Sequence, residues 1–400
     1  MKQKRPSQTG MKVAKKRLSK PKVKIPTKKE LADRELHRML TTPMSQRAML
    51  EGQPALQFKA GAMRLGFAVK VLGQPGLKSN DTRRWQQNPH LRVSLGFLCE
   101  TLAYCRKHGI HMYRMASDIA PYATHPDLPR FHNQVEECSE DLRDFGRLAR
   151  EQDLRLSFHP SQFIVLNSPD PQIRAKSVWD LQSQADILDR MELGPEAVMV
   201  IHAGGLYGDL QGGMDRWVET WGTLSEPIRR RLVLENDDIR YSAANVWAIH
   251  ERTGVPLVFD HQHFCCLNPE GLLLRETVAK FVATWPTGVR PKIHFSSPRT
   301  EMREIIQKDR QTKKNRTVLV PPIWTGHADF INPFEFNQFF RQTGDLAFDV
   351  MLEAKAKDLA LLRLRHDFLR FAPTFAHRFG ASENEDTDEE SEILTEAFAE

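Results

Sequence analysis

From Met63 to about Ala372 the chain repeats one pattern, a short apolar run followed by an amphipathic stretch at helical spacing. The apolar runs are Arg64–Val69, Ile110–Met115, Leu154–Phe158, Ala197–Ile201, Arg231–Leu234, Pro256–Phe259, Val289–Phe295 and Leu346–Val350. The helical stretches are Leu91–Lys107, His132–Glu151, Pro171–Met191, Asp215–Arg230, Ser242–Arg252, Glu270–Trp285 and Pro333–Arg341, with a last one from about Glu353 to Leu369. Eight strands, each followed by a helix, predict an α/β fold, a (βα)8 TIM barrel. The alternative is an open doubly wound sheet, but no G-x-G-x-x-G fingerprint follows a strand. The segment from Ser297 to Trp324 breaks the rhythm. It is rich in Lys, Arg and Gln, shows no clear strand pattern, and reads as a long basic loop on the face of a barrel that meets substrate.

Charge divides the chain further. Residues 1–29 hold twelve Lys/Arg and no acid, residues 381–400 hold nine Asp/Glu and no base, and residues 30–380 carry a net charge of +3. The expected organisation is therefore a basic, Lys/Pro-rich, mostly disordered extension over 1–60, a barrel over 61–372 and an acidic disordered tail over 373–400. A Lys-rich arm suits a polyanion as well as it suits solubility. No apolar run approaches a membrane span and no apolar segment follows the charged N-terminus, so neither a membrane nor a secretory route is expected. The five cysteines include no C-x-x-C pair, which points to a reducing compartment.

In a barrel the chemistry sits at the C-terminal strand ends. The third to sixth strands end in His159, His202, Glu235-Asn236-Asp237 and Asp260-His261-Gln262-His263. The seventh carries Lys292 and His294, and the eighth runs into Glu353. His125 follows the second strand and His327 closes the basic segment. Singly, each has a plainer role: Asp260 could cap a helix, and His125 could close a turn before Pro126. Together they form an imidazole and carboxylate set that suits Mn²⁺ or Zn²⁺ and, less well, Mg²⁺. The ligand count exceeds one ion with an open position and matches two or three ions about 3.5–4 Å apart, the arrangement that cleaves phosphoesters. Lys292 lies two residues before His294 and shares its inward face. A buried ammonium there calls for deprotonation, an acidic partner or carbamylation.

Eight blocks carry a resemblance: RLGF (Arg64–Phe67), LSFHPSQF (Leu156–Phe163), IHAGGLYGD (Ile201–Asp209), LENDD (Leu234–Asp238), FDHQH (Phe259–His263), KIHFSS (Lys292–Ser297), HADFINP (His327–Pro333) and VMLEAKAKD (Val350–Asp358). In this order they resemble the UV damage endonuclease (UvdE) family, over about residues 63–370. The resemblance implies a barrel related to endonuclease IV and xylose isomerase, with a multi-metal, usually manganese, site that nicks double-stranded DNA 5′ to UV photoproducts. It implies metal ligands His159, His202, Glu235, Asp260, His263, His294, His327 and Glu353. Glu235, Lys292 and His125 would be catalytic, Gln162 and Phe163 would probe the lesion, and Phe67 and Arg64 would join them at the DNA. The family often has Tyr where Phe67 and Phe163 stand and Asn where Val71 stands. The expected protein acts as a monomer, in the bacterial cytoplasm beside the nucleoid or in a fungal nucleus. Rival readings are an abasic-site nuclease, a sugar isomerase or epimerase of the same barrel class, and a damage-binding module without catalysis.

Overall fold

The computed structural model describes residues 28–41, 58–59 and 61–379. The chain divides into two units, 1–41 and 42–400. The described part of the first is the helix Lys28–Thr41. It falls inside the extension expected to be mostly disordered, and its i,i+3 pair Arg38–Glu35, at 2.6 Å, supports the helical turn. The rest of the basic head lies outside the described residues.

Among the described residues, the second unit contains twelve strands: β1 Leu65–Ala68, β2 Met112–Arg114, β3 Arg155–Ser157, β4 Met199–His202, β5 Leu232–Glu235, β6 Leu257–Val258, β7 Lys292–Phe295, β8 Pro298–Arg299, β9 Arg303–Lys308, β10 Asn315–Val320, β11 Ile323–His327 and β12 Asp349–Leu352. Parallel pairing orders five of them β3-β2-β1-β12-β7 and three more β4-β5-β6. Parallel bridges Phe158–Met199 and Asp260–His294 join the two sheets, so the eight strands close into a barrel. Each lies on or overlaps one of the expected apolar runs. The last is displaced toward the C-terminus, starting at Asp349 rather than Leu346.

Side chains two apart on a strand share a face, and this rule sorts the barrel interior into layers. At its floor the buried Arg155 guanidinium donates to the buried Asp349 carboxylate at 2.8 Å. Above lie two small apolar clusters, Val198, Val200, Val233, Val258 and Trp285, and Ala68, Met112 and Met351. Two residues beyond Met112, Val200, Val233, Val258 and Met351 come Arg114, His202, Glu235, Asp260 and Glu353. The same period that plugs the lumen thus lifts the polar set to its mouth. The other strand face packs on the helices through the main core, from Leu65, Leu156, Leu234 and Phe295 outward.

Leu91–Lys107 is helical with the expected bounds. His132–Glu151 divides into Gln134–Glu137 and Ser139–Glu151, and Asp215–Arg230 into Leu210–Thr223 and Glu226–Arg229. The longer helix of the second pair is capped by Asp209, whose carboxylate accepts from Gly212 N at 2.9 Å. The chain also stays structured past the expected end of the barrel. Pro373–Ala376 is helical, and the buried ring of Phe379 stacks on Phe368 at 5.3 Å and meets Phe340 edge-on at 5.1 Å. The acidic run after residue 380 lies outside the described residues.

The basic segment departs most from expectation, because it holds four strands rather than none. β9 and β10 form an antiparallel hairpin in register from Arg303–Val320 to Lys308–Asn315, and β11 pairs with β8. All but three of the hairpin's strand residues are exposed, so no buried face imposes the alternation by which a strand is recognised in sequence. No described helix is long and apolar enough to cross a membrane.

Candidate metal centre

Glu235, the last residue of β5, is fully buried at the centre of the polar set. Its Oε1 lies 2.7 Å from His294 Nδ1 and 3.7 Å from His263 Nδ1; its Oε2 lies 3.1 Å from His159 Nε2 and 3.6 Å from His202 Nε2. Glu353, just beyond β12, takes the far side. Its Oε1 is 3.3 Å from His294 Nδ1 and its Oε2 is 3.8 Å from His327 Nε2. Three groups have geometry suited to an ion: His159, Glu235 and His294; His202, Glu235 and His263; and Asp260, His294 and Glu353. Glu235 and His294 each belong to two of them, as shared ligands of adjacent ions would.

Asp260 fills two roles. One carboxylate oxygen caps the helix His261–Cys266, accepting from His263 N at 2.8 Å, and the other, also buried, has no hydrogen-bond partner among the described residues. His294 Nε2 is equally buried and, among the described residues, unpartnered. Buried polar atoms are otherwise nearly always satisfied, so donors left open beside two further carboxylates fit a bound cation. Asn236 sets the frame around them. Its amide exchanges hydrogen bonds with Asp260 N and O at 2.8 and 3.1 Å, and its carbonyl accepts from His263 Nδ1 at 2.9 Å, which orients that ring as an outer partner orients a metal-binding imidazole.

The electrostatics agree. Burial opposes charge on His263, but Asp260, Glu235 and Glu353 hold its pKa up to about 10. Burial works against Glu235 ionising, yet His294 and His202 keep its carboxyl well below the usual carboxylate range. Burial, with Glu235 and Glu353 nearby, pushes Asp260 up. The site stores negative charge in a dry place and favours whatever positive charge enters it.

Lys292 is fully enclosed between this cluster and the Arg155–Asp349 floor, with no hydrogen-bond partner for its Nζ among the described residues. Burial, then Arg155 and Arg114, drive its pKa well below the usual lysine value. The amine cannot reach solvent, so the snorkelling arrangement open to many lysines is excluded.

Other expected residues stand elsewhere. Gln162 and Phe163 are exposed just past His159, with Phe163 77% exposed. They line a cleft of about 520 Å³ with His159, His202, Tyr207 and Asp237. Phe67 is fully buried against Tyr113, at 5.3 Å between rings, and Val71 is buried in the same core, so the expected DNA contact by Phe67 is corrected to core packing. Arg64 precedes β1, at the barrel end opposite the ligands. There it pairs with Asp153 at 2.5 Å and Asp349 at 3.4 Å, which replaces its expected place at the DNA. His125 is exposed and outside the three groups; its Nδ1 accepts from Asp127 N at 3.2 Å, which is the turn-closing role. Two contributors were missed. Arg114, the last residue of β2, pairs with Glu353. Buried Gln262 accepts from Ser296 Oγ at 2.5 Å and donates to Trp324 O and Gly326 O at 2.9 and 3.3 Å, fixing β11 and thus His327 over the site. Reading the end of β2 as the other strand ends were read would have found Arg114.

A family model described as UV-endonuclease UvdE matches residues 92–375. The chain is 35% identical over 277 residues to the UV DNA damage endonuclease of Bacillus velezensis, spanning 68% of this chain and 79% of that protein. It is 34% identical over 267 residues to the one from Bacillus pumilus, spanning 66% and 77%. The crystal structure of SacUVDE superposes with a TM-score of 0.64 at 29% identity, covering 77% of this chain and 98% of that one. The fold, the ordered blocks along the chain and these likenesses agree: the chain belongs to the UV-endonuclease UvdE family.

Proposed function

We propose that this protein is a DNA-repair endonuclease that hydrolyses the phosphodiester bond on the 5′ side of UV photoproducts in double-stranded DNA, at a centre of two or three divalent cations with Mn²⁺ as the first choice. The observation that carries the reading is the buried, partly unpartnered set of Glu235, Asp260, His294 and their neighbours at the mouth of the barrel, beside an open cleft. His159, His202, Glu235, Asp260, His263, His294, His327 and Glu353 would hold the ions. Bound there, the cations supply charge for the scissile phosphate and a water of lowered pKa.

The protein's own groups set the geometry. Glu235 spans the centre with one oxygen toward each pair of rings, and Arg114 holds Glu353 in place. Burial drives the Lys292 pKa well below the usual lysine value, which favours the neutral amine; addition of CO2 to that amine, with loss of one proton, would leave a carbamate and so a further oxygen ligand. Gln162 offers an amide to base edges while the exposed Phe163 ring offers a stacking face to the gap a distorted lesion opens, immediately beside His159. The ring is kept where the family often has Tyr, so stacking survives and a hydroxyl contact does not.

Incision of a duplex carrying one pyrimidine dimer tests the reading. A single product ending immediately 5′ of the dimer, formed with Mn²⁺ and suppressed by EDTA, is expected. Cutting at an abasic site but not at the dimer would favour the abasic-site nuclease instead.

A further inference from the structure

The hairpin of β9 and β10 stands away from the main core, and its composition is one-sided. Between Arg303 and Val320 there are six Lys/Arg against two acids. Arg303 is committed to Glu301 and Asp329, and Arg316 lies 3.9 Å from Asp309. Arg310, Lys313 and Lys314 at the tip are exposed and have no acidic partner among the described residues. The turn that carries them is built rather than slack. Asp309 Oδ1 accepts from Gln311 N at 3.0 Å, Thr312 N at 2.7 Å and Thr312 Oγ1 at 3.0 Å, and Asp309 N donates to Lys314 O at 2.9 Å.

The base of the hairpin is as firmly placed. β10 leads through Pro321 and Pro322 into β11, whose Trp324 and Gly326 carbonyls accept from Gln262 and whose last residue is His327. The hairpin is thus tied to the metal centre by one short strand. Its position on the rim follows from the ring order β1-β2-β3-β4-β5-β6-β7-β12, in which β3 and β7 are four steps apart. Gln162 and Phe163 follow β3 and the hairpin follows β7, so they rise from opposite sides of the mouth with the His/Glu cluster between them.

We propose that the hairpin is a second DNA-holding arm, which seats Arg310, Lys313 and Lys314 on backbone phosphates of the duplex across the cleft from Gln162 and Phe163. The inference rests on the nuclease reading and deepens it. Charge complementarity names the partner: three unpaired cations on a fixed turn beside a phosphodiester-cleaving site meet a polyanion. A two-stranded ribbon is also narrow enough to follow a groove. Such contacts position the duplex without reading its sequence. The exposed Ile306 and Leu319 on the hairpin offer another occupant, a second copy of this chain, which the experiment must separate.

The experiment compares the full chain with the variant R310S/K313S/K314S, and with I306S/L319S. These side chains are exposed, so unchanged thermal unfolding is expected and is checked first. Binding to a labelled undamaged duplex is measured with Mn²⁺ present between about 50 and 200 mM NaCl. Three lost phosphate contacts lower the slope of log binding constant against log salt by about 2.7. That drop, with I306S/L319S binding like the wild type, supports the arm. An unchanged slope overturns it, as does a mass in solution that falls from dimer to monomer only in I306S/L319S. Nicking of irradiated plasmid by the wild type is run alongside, and its absence would remove the nuclease reading rather than the arm alone.

Discussion

His294 Nδ1 lies 2.7 Å from Glu235 Oε1, and neither side chain is exposed. The pair joins β7 to β5 across the mouth of the barrel, and the second oxygen of the same carboxylate reaches His159 and His202. One side chain thus gathers rings from four strand ends. Glu235→Gln keeps the shape and removes the charge. Incision should fall on the order of 10³-fold, as when a preorganised electrostatic group at a reacting centre is lost. Mn²⁺ should raise the thermal unfolding midpoint of the wild type but not of the variant. A variant that still gains stability with Mn²⁺ would show that Glu235 is not a ligand.

Arg114 reaches Glu353 from β2, and it acts through that carboxylate rather than on substrate. Arg114→Met should raise the Mn²⁺ concentration that incision needs by about 10–100-fold, the usual cost of losing an outer partner of a ligand. Saturating Mn²⁺ should restore most of the rate. A loss of rate that no Mn²⁺ concentration recovers would assign Arg114 a direct part in the reaction.

At the barrel floor, Arg155 and Asp349 are both fully buried and paired at 2.8 Å. Asp349→Asn leaves a guanidinium buried without its counter-charge. Breaking one partner of such a pair costs about 3–5 kcal/mol. Urea unfolding should show a loss of that size. A loss under about 1 kcal/mol would mean that water or the nearby Arg64 carboxylate partner Asp153 compensates, and the layered account of the lumen would need revision.

His261 gives a pH prediction. Its ring stacks on Phe295 at 4.6 Å and meets Phe339 edge-on at 5.0 Å, and burial lowers its pKa from 6.5 to about 4. The unfolded chain therefore binds a proton before the folded one does. The neutral ring contributes stability in full above about pH 6.5, and that contribution is lost as pH falls toward 4. His261→Phe keeps the aromatic packing and removes the proton. The stability difference between wild type and variant should be flat above pH 7 and shift against the wild type below it; parallel curves from pH 7 to 5 would contradict the assignment.

The barrel and the polar rim that could hold metal were legible in the sequence for one reason. The eight barrel strands are buried on both faces, which writes continuous apolar runs, and the fold then places chemistry where each run stops. That rule singled out Glu235, Asp260, His294 and Glu353, which the fold brings together at one mouth. The rule says nothing of the opposite ends, and Arg64 was misplaced because it begins its run rather than ending it. Phe67 was misplaced because an aromatic in a family block looks the same whether it packs or stacks. The hairpin was unreadable because its strands bury almost nothing, and its pairing comes from backbone hydrogen bonds and the Asp309 turn. The start of the tail was set too early, at 373, because Pro373–Ala376 is helical and the Phe379 ring packs on Phe340 and Phe368.

The central claim is a metal-dependent cut directed by UV damage, and nicking of supercoiled plasmid measures it most directly. Irradiated and untreated plasmid are incubated with the purified chain in Mn²⁺ or in EDTA. Conversion to open circle only of irradiated plasmid and only with Mn²⁺ is the predicted result. Equal nicking of both plasmids, or none under any divalent metal, would contradict the account.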